Sequence, residues 1–501
     1  MRHAHQVRAV REAEQRLLSR LPDGALMQRA AAGLAAACTR RLGKVYGSRV
    51  TVLVGGGDNG GDALFAAARL ADRGAAVTAL TVSSRLHEAG SAAARRSGVV
   101  IREAGEPGDE GLLQQADLVL DGMVGIGGSG GLRPASARLA QWAPHSRTLA
   151  VDVPSGVDAD TGAVPGAAIR AAATITFGTL KPGLLVLPGA DYAGAVELVG
   201  IGLSLPSAGL EQLEAADVGR LLPGPGSESS KYTRGVLGIT AGSDAYPGAA
   251  VLCTGGARRG GAGYLRFAGT SHPAELIRQH FPDVVATEVA HGDARAVLGA
   301  GRVQAWVVGP GLGTDDAAAA VVEAVLGSDV PVLVDADGLT IVARHPEWLH
   351  DRFGRGHLTL LTPHEGEFAR LVGGDPADVK QRLAENRLDT VRRLSGRLPA
   401  TILLKGSTTL VVDPTAARVN GTGVGWLASA GTGDVLSGIA GGLLASGLST
   451  FDAGSVAAWL HGMAAQIATS TNGPPLVAFD LLDALPKAWE LARAAARAGE
   501  A

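Results

Sequence analysis

The sequence predicts an α/β protein of two domains. With 501 residues, the chain is longer than a single hydrophobic core usually accommodates. Short apolar, β-branched runs alternate with alanine-rich helical stretches, which is the pattern of parallel sheets. The 72 glycines cluster after the apolar runs, as expected where tight turns join strands to helices.

The predicted strands fall into two groups separated by a change in composition. They are the runs VTVLVG, AAVTALTV, DLVLDGM, TLAVDVPSG and ATITFG, followed by VLGITAG, AWVVGPG, VPVLVDAD, LTLLTPH and ATILLKG. Proline, glycine and serine replace the apolar rhythm over residues 203–235, after a short helical piece. We therefore expect a domain boundary near residue 210, with domains over residues 1–210 and 211–501.

Charge and composition exclude several classes of function. The net charge is −3, from 45 Lys+Arg against 48 Asp+Glu, so the chain offers no basic surface for nucleic acid or anionic membranes. Two cysteines in so long a chain provide neither a disulfide framework nor metal-ligand spacing. The charged start lacks an apolar signal segment, and no run approaches the roughly 20 residues of a membrane span. We expect a soluble, cytoplasmic protein that binds small molecules.

The stretch VTVLVGGGDNGGDALF contains a glycine-rich turn between a predicted strand and helix. Its glycines fit G-x-G-x-x-G, but the next strand ends in SSR rather than in the acidic residue that usually binds a ribose. Asp58, Asn59 and Asp62 instead lie within the turn. Carboxylates oppose phosphate unless a cation or hydroxyl groups lie between them, so the turn is predicted to do more than bind pyrophosphate.

Polar residues follow two further strands of the first half. Asp121 ends the strand DLVLD, a second glycine-rich loop follows it, and TLAVDVPSG ends in Asp152 and Ser155. Because ligands gather at the carboxyl ends of parallel strands, these residues are predicted to converge with Asn59 on one crevice. Oxygen ligands of this kind suit a hard cation. Each aspartate could instead cap the turn that follows it.

The second half contains a stronger catalytic signal. In WLASAGTGDVLSGIAGG, Gly431, Gly433 and Asp434 precede an amphipathic helix. Such a helix N-terminus can bind an anion, and the adjacent carboxylate can act as a base, as phosphoryl transfer requires. A plain N-cap role for Asp434 is the simpler alternative.

Two companion motifs support a phosphate-handling site. His364 and Glu367 follow the strand LTLL in TPHEGEF, and residues 405–409 form a basic, hydroxyl-bearing turn suited to phosphates. Asp335 and Asp337 are predicted to end a strand near the same crevice, with turn capping as the alternative. His461 lies in an apolar helical pattern and is expected to be a core histidine rather than a ligand.

These motifs together resemble a known pair of domains. AGTGDVLSG, TPHEGE, GPGLG and ITAGSDAYPGAAVLC resemble the ADP-dependent NAD(P)H-hydrate dehydratase branch of the ribokinase-like superfamily. GGGDNGGD, DGMVGIGGSGGL and VDVPSGVD resemble the NAD(P)H-hydrate epimerase domain that is often fused in front of it. The resemblance covers nearly the whole chain. It implies an N-terminal Rossmann-like three-layer sandwich and a C-terminal ribokinase-like α/β domain.

The resemblance implies repair of hydrated nicotinamide cofactors. NADH and NADPH can add water across the C5=C6 bond of the ring, giving R and S hydrates (NADHX and NADPHX). The epimerase interconverts the two epimers, and the dehydratase restores the S form by phosphorylating its C6 hydroxyl from ADP, releasing AMP and phosphate. The implied cofactors are K⁺ in the first domain and Mg²⁺ in the second, with ADP as co-substrate, in a homo-oligomer.

The resemblance also implies the residues of both sites. For the epimerase, Asp152 would handle the proton, and Asn59, Asp121 and Ser155 would bind K⁺. Its remaining hydrate-binding residues would be Asp58, Gly60, Gly61, Asp62, Gly125, Ile126, Gly127, Gly128, Ser129, Gly130 and Gly131. The family pattern often has Asn where Asp58 stands and Gly where Ala63 stands.

For the dehydratase, the resemblance makes Asp434 the base that activates the substrate hydroxyl. The hydrate would contact Ala249, Gly311, Gly313 and His364, and Glu367 would help place Mg²⁺. The nucleotide would contact Lys405, Gly406, Ser407, Thr408, Thr409 and Gly433.

Two rival functions are compatible with individual motifs. A ribokinase-like kinase for a small alcohol, with the first half as a nucleotide-binding regulatory domain, would require ATP and a stable phosphorylated product. A nucleotide-sensing protein without turnover would keep its function after Asp434→Asn, whereas an enzyme would lose most of its rate. Neither rival explains both sets of motifs in one chain.

Overall fold

The computed structural model describes residues 1–128 and 130–499, which divide into two compact units. The first unit comprises His3–Leu210 together with Ala384–Arg387. The second comprises Met1–Arg2, Glu211–Leu383 and the described residues from Leu388 onward. Each unit contains its own central sheet.

The first 210 residues contain a strand at nearly every apolar run and a helix after most of them. The strands are β1 (Arg2–Ala4), β2 (Arg49–Val54), β3 (Ala76–Thr81), β4 (Val100–Glu103), β5 (Leu118–Gly122), β6 (Thr148–Val151), β7 (Ala173–Phe177) and β8 (Ala195–Val199). The helices are α1 (Val7–Leu18), α2 (Ala25–Leu42), α3 (Asp58–Ala71), α4 (Glu88–Arg96), α5 (Asp109–Gln115), α6 (Pro134–Trp142) and α7 (Ala190–Ala193).

The sheet of the first unit has seven strands in the order β4-β3-β2-β5-β6-β7-β8, with parallel pairing throughout. The chain moves outward from β2 through β3 to β4, and then returns to continue on the other side with β5. This reversal leaves a crevice at the carboxyl ends of β2 and β5, the position where open α/β sheets bind ligands. The central strands are buried on both faces, as parallel sheets covered by helices require.

The second unit begins with β9 and contains the longest helices of the chain. The strands are β9 (Leu210–Gln212), β10 (Val236–Thr240), β11 (Tyr264–Gly269), β12 (Val285–Glu288), β13 (Ala305–Val308), β14 (Val332–Val334), β15 (Thr359–Leu361), β16 (Thr401–Leu404), β17 (Thr409–Val412) and β18 (Ala417–Asn420). The helices are α8 (Ala215–Leu221), α9 (Pro247–Arg258), α10 (Ser271–His280), α11 (Ala294–Gly299), α12 (Asp316–Leu326), α13 (Asp337–Arg344), α14 (Glu347–Gly354), α15 (Glu365–Leu371), α16 (Pro376–Ser395), α17 (Thr432–Ala445), α18 (Thr450–Asn472) and α19 (Ala478–Ala498).

The sheet of the second unit runs β9-β18-β17-β16-β15-β14-β13-β10-β11-β12 across the strands named above. Strands β10 to β16 pair in parallel, whereas β16, β17 and β18 form an antiparallel meander. The chain reverses its direction of travel between β10 and β13, which leaves a second crevice at their carboxyl ends. Helices α9, α17, α18 and α19 contribute to a continuous core with these strands.

The sequence predicts the central strands well and the strands nearer the sheet edges poorly. Each of the ten predicted runs contains a strand, which confirms the α/β class. The strands β1, β4, β8, β9, β11, β12, β17 and β18 were not predicted. Of these, β4, β8 and β12 include exposed positions that break the apolar run. None of the helices within the described residues combines the length and apolar character needed to cross a membrane.

Candidate functional sites

The first candidate site lies at the carboxyl ends of β2, β5 and β6. The backbone of the first glycine-rich turn packs so closely that side chains cannot fit at two of its positions. A Cβ at Gly55 would lie 1.8 Å from the Met123 carbonyl oxygen, and one at Gly60 would lie 2.2 Å from the Gly55 carbonyl oxygen. Helix α3 begins at Asp58 with Gly57 as its N-cap, so the backbone N–H groups of its first turn face the crevice.

Two polar side chains of this turn have buried atoms without partners. Nδ2 of Asn59 and Oδ1 of Asp62 are buried and make no hydrogen bond within the described part of the chain, whereas Asp58 is exposed. Burial, followed by the nearby charges of Asp152, Asp58 and Glu14, raises the pKa of Asp62 to about 8. Polar groups that are buried without a protein partner are typical of sites that bind a ligand.

Asp121 and Ser155 form a buried pair between β5 and the loop after β6. The Ser155 backbone N–H donates to Oδ2 of Asp121 at 2.8 Å, and the Ser155 hydroxyl donates to Oδ1 at 2.6 Å. Burial raises the pKa of Asp121 to about 6, although the hydrogen bonds from Ser155 and Met123 act in the opposite direction. Among the described residues no lysine, arginine or histidine forms an ion pair with Asp121.

Asp152 follows β6 in a conformation that non-glycine residues seldom adopt. Its φ is 65°, and its Oδ1 accepts hydrogen bonds from Lys181 Nζ at 2.5 Å, Thr176 Oγ1 at 2.9 Å and the Phe177 backbone N–H at 3.2 Å. Lys181 is 1% exposed and was not predicted as a site residue. The ion pair holds the Asp152 carboxylate in a fixed orientation.

The second glycine-rich loop lies against the first. A Cβ at Gly125 would lie 2.9 Å from Cγ of Asn59, and one at Gly127 would lie 3.3 Å from Nη2 of Arg11. Ser129, one of the predicted hydrate-binding residues, lies outside the described residues. The other predicted residues of this loop are half-buried or exposed, and are Ile126, Gly128, Gly130 and Gly131.

The departure from the family pattern at Ala63 fits its surroundings. Ala63 is fully buried, and a Cβ at Gly122 would lie 2.5 Å from the Ala63 Cβ. The Ala63 methyl group therefore fits because residue 122 is a glycine and has no side chain. The adjacent Gly61 is similarly close-packed, because a Cβ there would lie 2.9 Å from the His87 ring.

The second candidate site lies where α17 begins. Gly431 is the N-cap with φ 83°, and Asp434 is in the first turn. A side chain at Gly431 would collide with Leu252, since its Cβ would lie 2.3 Å from Leu252 Cδ1. Burial, and then the charge of Asp335, raises the pKa of Asp434 to about 7, while Lys405 acts in the opposite direction. Because Gly431 rather than Asp434 is the N-cap residue, a plain capping role does not account for Asp434.

Lys405 lies at the centre of a cluster of carboxylates next to Asp434. Its Nζ donates to Oδ1 of Asp335 at 2.9 Å and lies 3.7 Å from Oε2 of Glu367. Ser437 donates to the second oxygen of Asp335 at 2.7 Å. Burial opposes the charge of Lys405, but Asp335 and Glu367 outweigh burial and raise the pKa of Lys405. The ammonium group is therefore a fixed positive charge beside Asp434.

His364 and Glu367 form the start of α15. The His364 side chain accepts a hydrogen bond from the Gly366 N–H at 3.0 Å, and Glu367 accepts one from the His364 N–H at 2.8 Å. This reciprocal capping box fixes both side chains at the end of β15. Glu367 is buried, whereas the His364 side chain is 58% exposed and accessible to a ligand.

The loop after β13 contacts the start of α9 and the start of α13. Gly311 has φ 61°, and a Cβ at this position would lie 2.7 Å from the Ala249 Cβ. The Gly313 N–H donates to Oδ2 of Asp337 at 2.9 Å. The structure thus brings Ala249 next to Gly311 and joins Gly313 to the start of α13. The alternative of simple turn capping does not describe Asp335 or Asp337, whose partners lie elsewhere in the chain.

Residues 405–409 form the turn of the β16–β17 hairpin. The Thr409 hydroxyl donates to the Gly406 carbonyl at 3.0 Å, and the Ser407 side chain is exposed. The Thr408 hydroxyl is buried and has no hydrogen-bond partner among the described residues. A Cβ at Gly433 would lie 3.5 Å from Lys405 Nζ, so this turn and the start of α17 meet at the ammonium group.

Sequence reasoning missed two residues of these sites and correctly set one aside. Lys181 and Ser437 were missed because their partners are 29 and 102 positions away. His461 is buried, its Nε2 is 2.9 Å from the Thr432 carbonyl oxygen, and burial lowers its pKa to about 4, as expected for a core histidine. No group of three or more His, Cys, Asp or Glu side chains with metal-binding geometry occurs in the described part of the chain.

Comparison with known families divides the chain in the same order as its two sheets. Residues 237–487 match the family described as NAD(P)H-hydrate dehydratase. Residues 23–183 match the family described as YjeF-related protein N-terminus.

Full-length relatives and solved structures extend these matches. The chain is 49% identical over 461 residues to the bifunctional NAD(P)H-hydrate repair enzyme Nnr of Mycobacterium tuberculosis, covering 90% of this chain and 91% of that one. The ADP/ATP-dependent NAD(P)H-hydrate dehydratase of Bacillus subtilis, co-crystallised with ATP and Mg²⁺, is 29% identical with a TM-score of 0.50 and covers 56% of this chain and 98% of its own. A ribokinase-like superfamily protein of Enterococcus faecalis shares the fold at 21% identity and a TM-score of 0.50, covering 58% of this chain and 99% of its own.

Proposed function

The chain belongs to the family of bifunctional NAD(P)H-hydrate repair enzymes, and from this premise we propose which parts of it perform each activity. It is an NAD(P)H-hydrate epimerase joined to an NAD(P)H-hydrate dehydratase. We assign the epimerase to residues 1–210 and the dehydratase to residues 211–501. The central observation is the position of Asp434 beside Lys405 and Asp335 at the start of a helix.

In the dehydratase, Asp434 is the base that removes the proton of the C6 hydroxyl. Its pKa of about 7 suits this role, because a base poised near neutrality is ionised yet still accepts a proton. The hydroxyl oxygen attacks the terminal phosphorus of ADP, forming the phosphate ester and AMP. The ring nitrogen then expels phosphate from C6, a proton leaves C5, and the C5=C6 bond of NAD(P)H is restored.

The surroundings of Asp434 stabilise the charge that develops during phosphoryl transfer. Backbone N–H groups at Gly431 to Gly433 face the transferred group, and Lys405 supplies a fixed positive charge. The nucleotide contacts residues 405–409, where the buried Thr408 hydroxyl offers a hydrogen bond. The hydrate contacts Ala249, the glycines at 311 and 313, and His364.

Mg²⁺ fits the residues at the start of α15. Among the described residues, one ammonium group, that of Lys405, faces the three carboxylates of Asp335, Glu367 and Asp434, which leaves negative charge for a further cation. Mg²⁺ commonly binds through one or two carboxylates and the substrate phosphates, so the lack of a three-carboxylate site in the described part of the chain is compatible with it. Glu367 would hold the ion, which would neutralise phosphate charge.

In the epimerase, Asp152 handles the proton of the substrate, and Asn59, Asp121 and Ser155 bind K⁺. The donor set fits this cation, because three oxygen-bearing groups lie at one crevice. They are the buried Asp121 carboxylate, the Ser155 hydroxyl and the Asn59 side-chain amide. The hydrate contacts the two glycine-rich loops, residues 58–62 and 125–131. A bound K⁺ would balance the Asp121 charge and order the loops around it.

Two measurements test these assignments. Recovery of NADH absorbance from pure S hydrate should require Mg²⁺ and ADP, with AMP and phosphate formed in equal amounts. Conversion of R to S hydrate without nucleotide should require K⁺. Recovery without AMP or phosphate would contradict the dehydratase mechanism, and K⁺-independent conversion would contradict the cation site. Use of ADP rather than ATP, the homo-oligomeric state and the cytoplasmic location stay predictions.

A further inference from the structure

The hydrogen bonds of Asp152 leave one of its carboxylate oxygens available. All three of its donors, from Lys181, Thr176 and Phe177, use Oδ1. The positive φ of 65° is unfavourable for an aspartate, and the backbone is held there by the Asp152 N–H bond to the Ile175 carbonyl at 2.8 Å. Such a conformation is retained where it aims a functional group, so Oδ2 is the atom available to a substrate.

Lys181 holds the Asp152 carboxylate in one orientation. Its three N–H donors are all used, because Nζ also lies 3.0 Å from the Thr176 hydroxyl and 3.0 Å from the Phe177 carbonyl. A buried ammonium whose donors are all satisfied by Asp152 and by the end of β7 cannot move to follow a ligand. Its effect on substrate is therefore indirect, through Asp152, which makes Lys181 a positioning residue.

Asp62 is in the opposite situation from Asp152. It is 9% exposed, its buried Oδ1 has no hydrogen-bond partner, and no ion pair among the described residues compensates its charge. The charged groups around it are Asp152 after β6, Asp58 in its own helix and Glu14 in α1, and the His87 ring packs on the neighbouring Gly61. Burial, and then the three neighbouring carboxylates, raise the pKa of Asp62 and favour its protonated form at neutral pH.

We propose that Asp152 and Asp62 are the base and the acid of epimerisation, in which the Lys181-paired Asp152 carboxylate takes the C6 hydroxyl proton and the buried Asp62 carboxyl protonates the ring nitrogen. This inference rests on the assignment of the epimerase to the first unit. Two carboxylates with contrasting surroundings, one paired with a buried lysine and one buried without a hydrogen-bond partner on Oδ1, are the usual arrangement for acid and base in one site.

The two proton transfers account for inversion at C6 without any further reactant. As Asp152 removes the hydroxyl proton, the C6–O bond becomes a carbonyl and the C6–N1 bond breaks. Asp62 gives its proton to N1, so the ring opens to an aldehyde and an amine. Rotation about C5–C6 presents the other face of the aldehyde. Attack by N1 then reforms the ring as Asp62 recovers its proton and Asp152 returns the other to oxygen.

The test measures conversion of R to S hydrate by the full chain, with K⁺ and without nucleotide. After the spontaneous rate is subtracted, Asp62→Asn should lower the enzymatic rate on the order of 100-fold, which is the size of effect expected when general acid catalysis is lost. The wild-type rate should fall as pH rises through about 8, because Asp62 then loses its proton. Lys181→Met should lower the rate because Asp152 loses the partner that orients it, and Lys181→Arg, which keeps a cation there, should restore the rate.

Controls separate loss of chemistry from loss of structure. Asp72→Asn, the same change at an exposed position at the end of α3, should leave the rate and the profile unchanged. Each variant is checked for thermal unfolding and for K⁺ dependence. An Asp62→Asn rate equal to wild type, or a wild-type profile without an alkaline limb, would overturn the acid role of Asp62. A wild-type chain that dehydrates S hydrate but never converts R hydrate would overturn the epimerase assignment as well.

Discussion

The two candidate sites both lie at the carboxyl ends of parallel strands, but their carboxylates have different partners. In the first unit, Asp121 is held by neutral donors and Asp152 by its own buried lysine. In the second unit, Asp335 and Glu367 both contact Lys405, and the charges of all three act on the Asp434 carboxylate. The first arrangement gives each carboxylate a separate environment, whereas the second couples several carboxylates to one cation. The comparison shows how similar α/β crevices can support proton transfer or phosphoryl transfer.

Backbone strain accompanies a key aspartate in both units. Among the described residues, the two non-glycine residues with positive φ are Asp152 at 65° and Ala336 at 52°. Ala336 directly follows Asp335, the partner of Lys405 and Ser437. In each unit a strand therefore ends in a sharp turn that fixes the direction of an aspartate, which is the usual place for strain in an active site.

The largest expected effect comes from removing Asp434, the proposed base of the second site. Asp434→Asn should lower dehydration of S hydrate on the order of 10²- to 10⁴-fold, because proton removal from the C6 hydroxyl is lost. R-to-S conversion should stay at the wild-type rate, since we assign it to the other unit. Absorbance recovery and epimer analysis on the same preparation measure both. Asp483→Asn, an exposed change in α19, is the matched control.

Asp121→Asn should weaken the use of K⁺ without changing the shape of the site. The K⁺ concentration needed for half-maximal epimerisation should rise on the order of 10- to 100-fold, the range typical of lost metal-site groups. The dehydratase should be unaffected. A K⁺ titration of R-to-S conversion checks this, and an unchanged half-maximal concentration would remove Asp121 from the cation site.

Lys405→Met should change the pH dependence of the dehydratase. Asp434 must be ionised to act as a base, so the wild-type rate should rise with pH through about 7. Lys405 lowers the pKa of Asp434, so removing Lys405 should move the rise in rate to higher pH. At pH 7, each tenfold fall in the ionised fraction of Asp434 should lower the rate about tenfold. Rate profiles from pH 5 to about 9 test the sign. Lys487→Met, at an exposed lysine, should leave the profile in place.

The smallest effect is expected at the loop after β13. Gly311→Ala places a Cβ 2.7 Å from the Ala249 Cβ and keeps an unfavourable φ of 61°. We expect a loss of about 1–2 kcal/mol in the free energy of unfolding and a raised KM for the hydrate with a smaller change in kcat. Gly299→Ala, where nothing described lies within 4 Å of the added Cβ, is the control. Equal KM values would show that this loop does not contact the substrate.

The sequence predicts the central strands and most of the candidate residues, because both follow local rules. Buried parallel strands are continuous apolar runs, and polar residues at their carboxyl ends are visible without tertiary information. Asp335 and Asp152 were found in this way. The meander β17–β18 was missed because β17 was interpreted only as part of a phosphate-binding turn, and nothing local specifies that it pairs antiparallel to β16.

The partners of these aspartates could not be predicted from the sequence. Lys181 gains its role from burial against Asp152, and Lys405 directs its ammonium group into the acidic cluster in addition to forming the start of a turn. The signal that could have identified Lys181 is a lone lysine within the apolar stretch TITFGTLKPGLLV, since an unpaired buried lysine is rare. Which carboxylate neutralises it depends on the tertiary fold.

The most direct test of two separate sites is complementation between variants. A mixture of R and S hydrates is supplied with ADP, K⁺ and Mg²⁺, and NADH absorbance is followed. Asp152→Asn should recover the S fraction quickly and then slow to the rate of spontaneous epimerisation, and Asp434→Asn should recover NADH on the order of 10²- to 10⁴-fold more slowly than wild type. Mixing the two variants should restore complete, fast recovery, because the S hydrate released by one is the substrate of the other. A mixture that stops at the S fraction, or recovery by Asp434→Asn alone at the wild-type rate, would contradict the account.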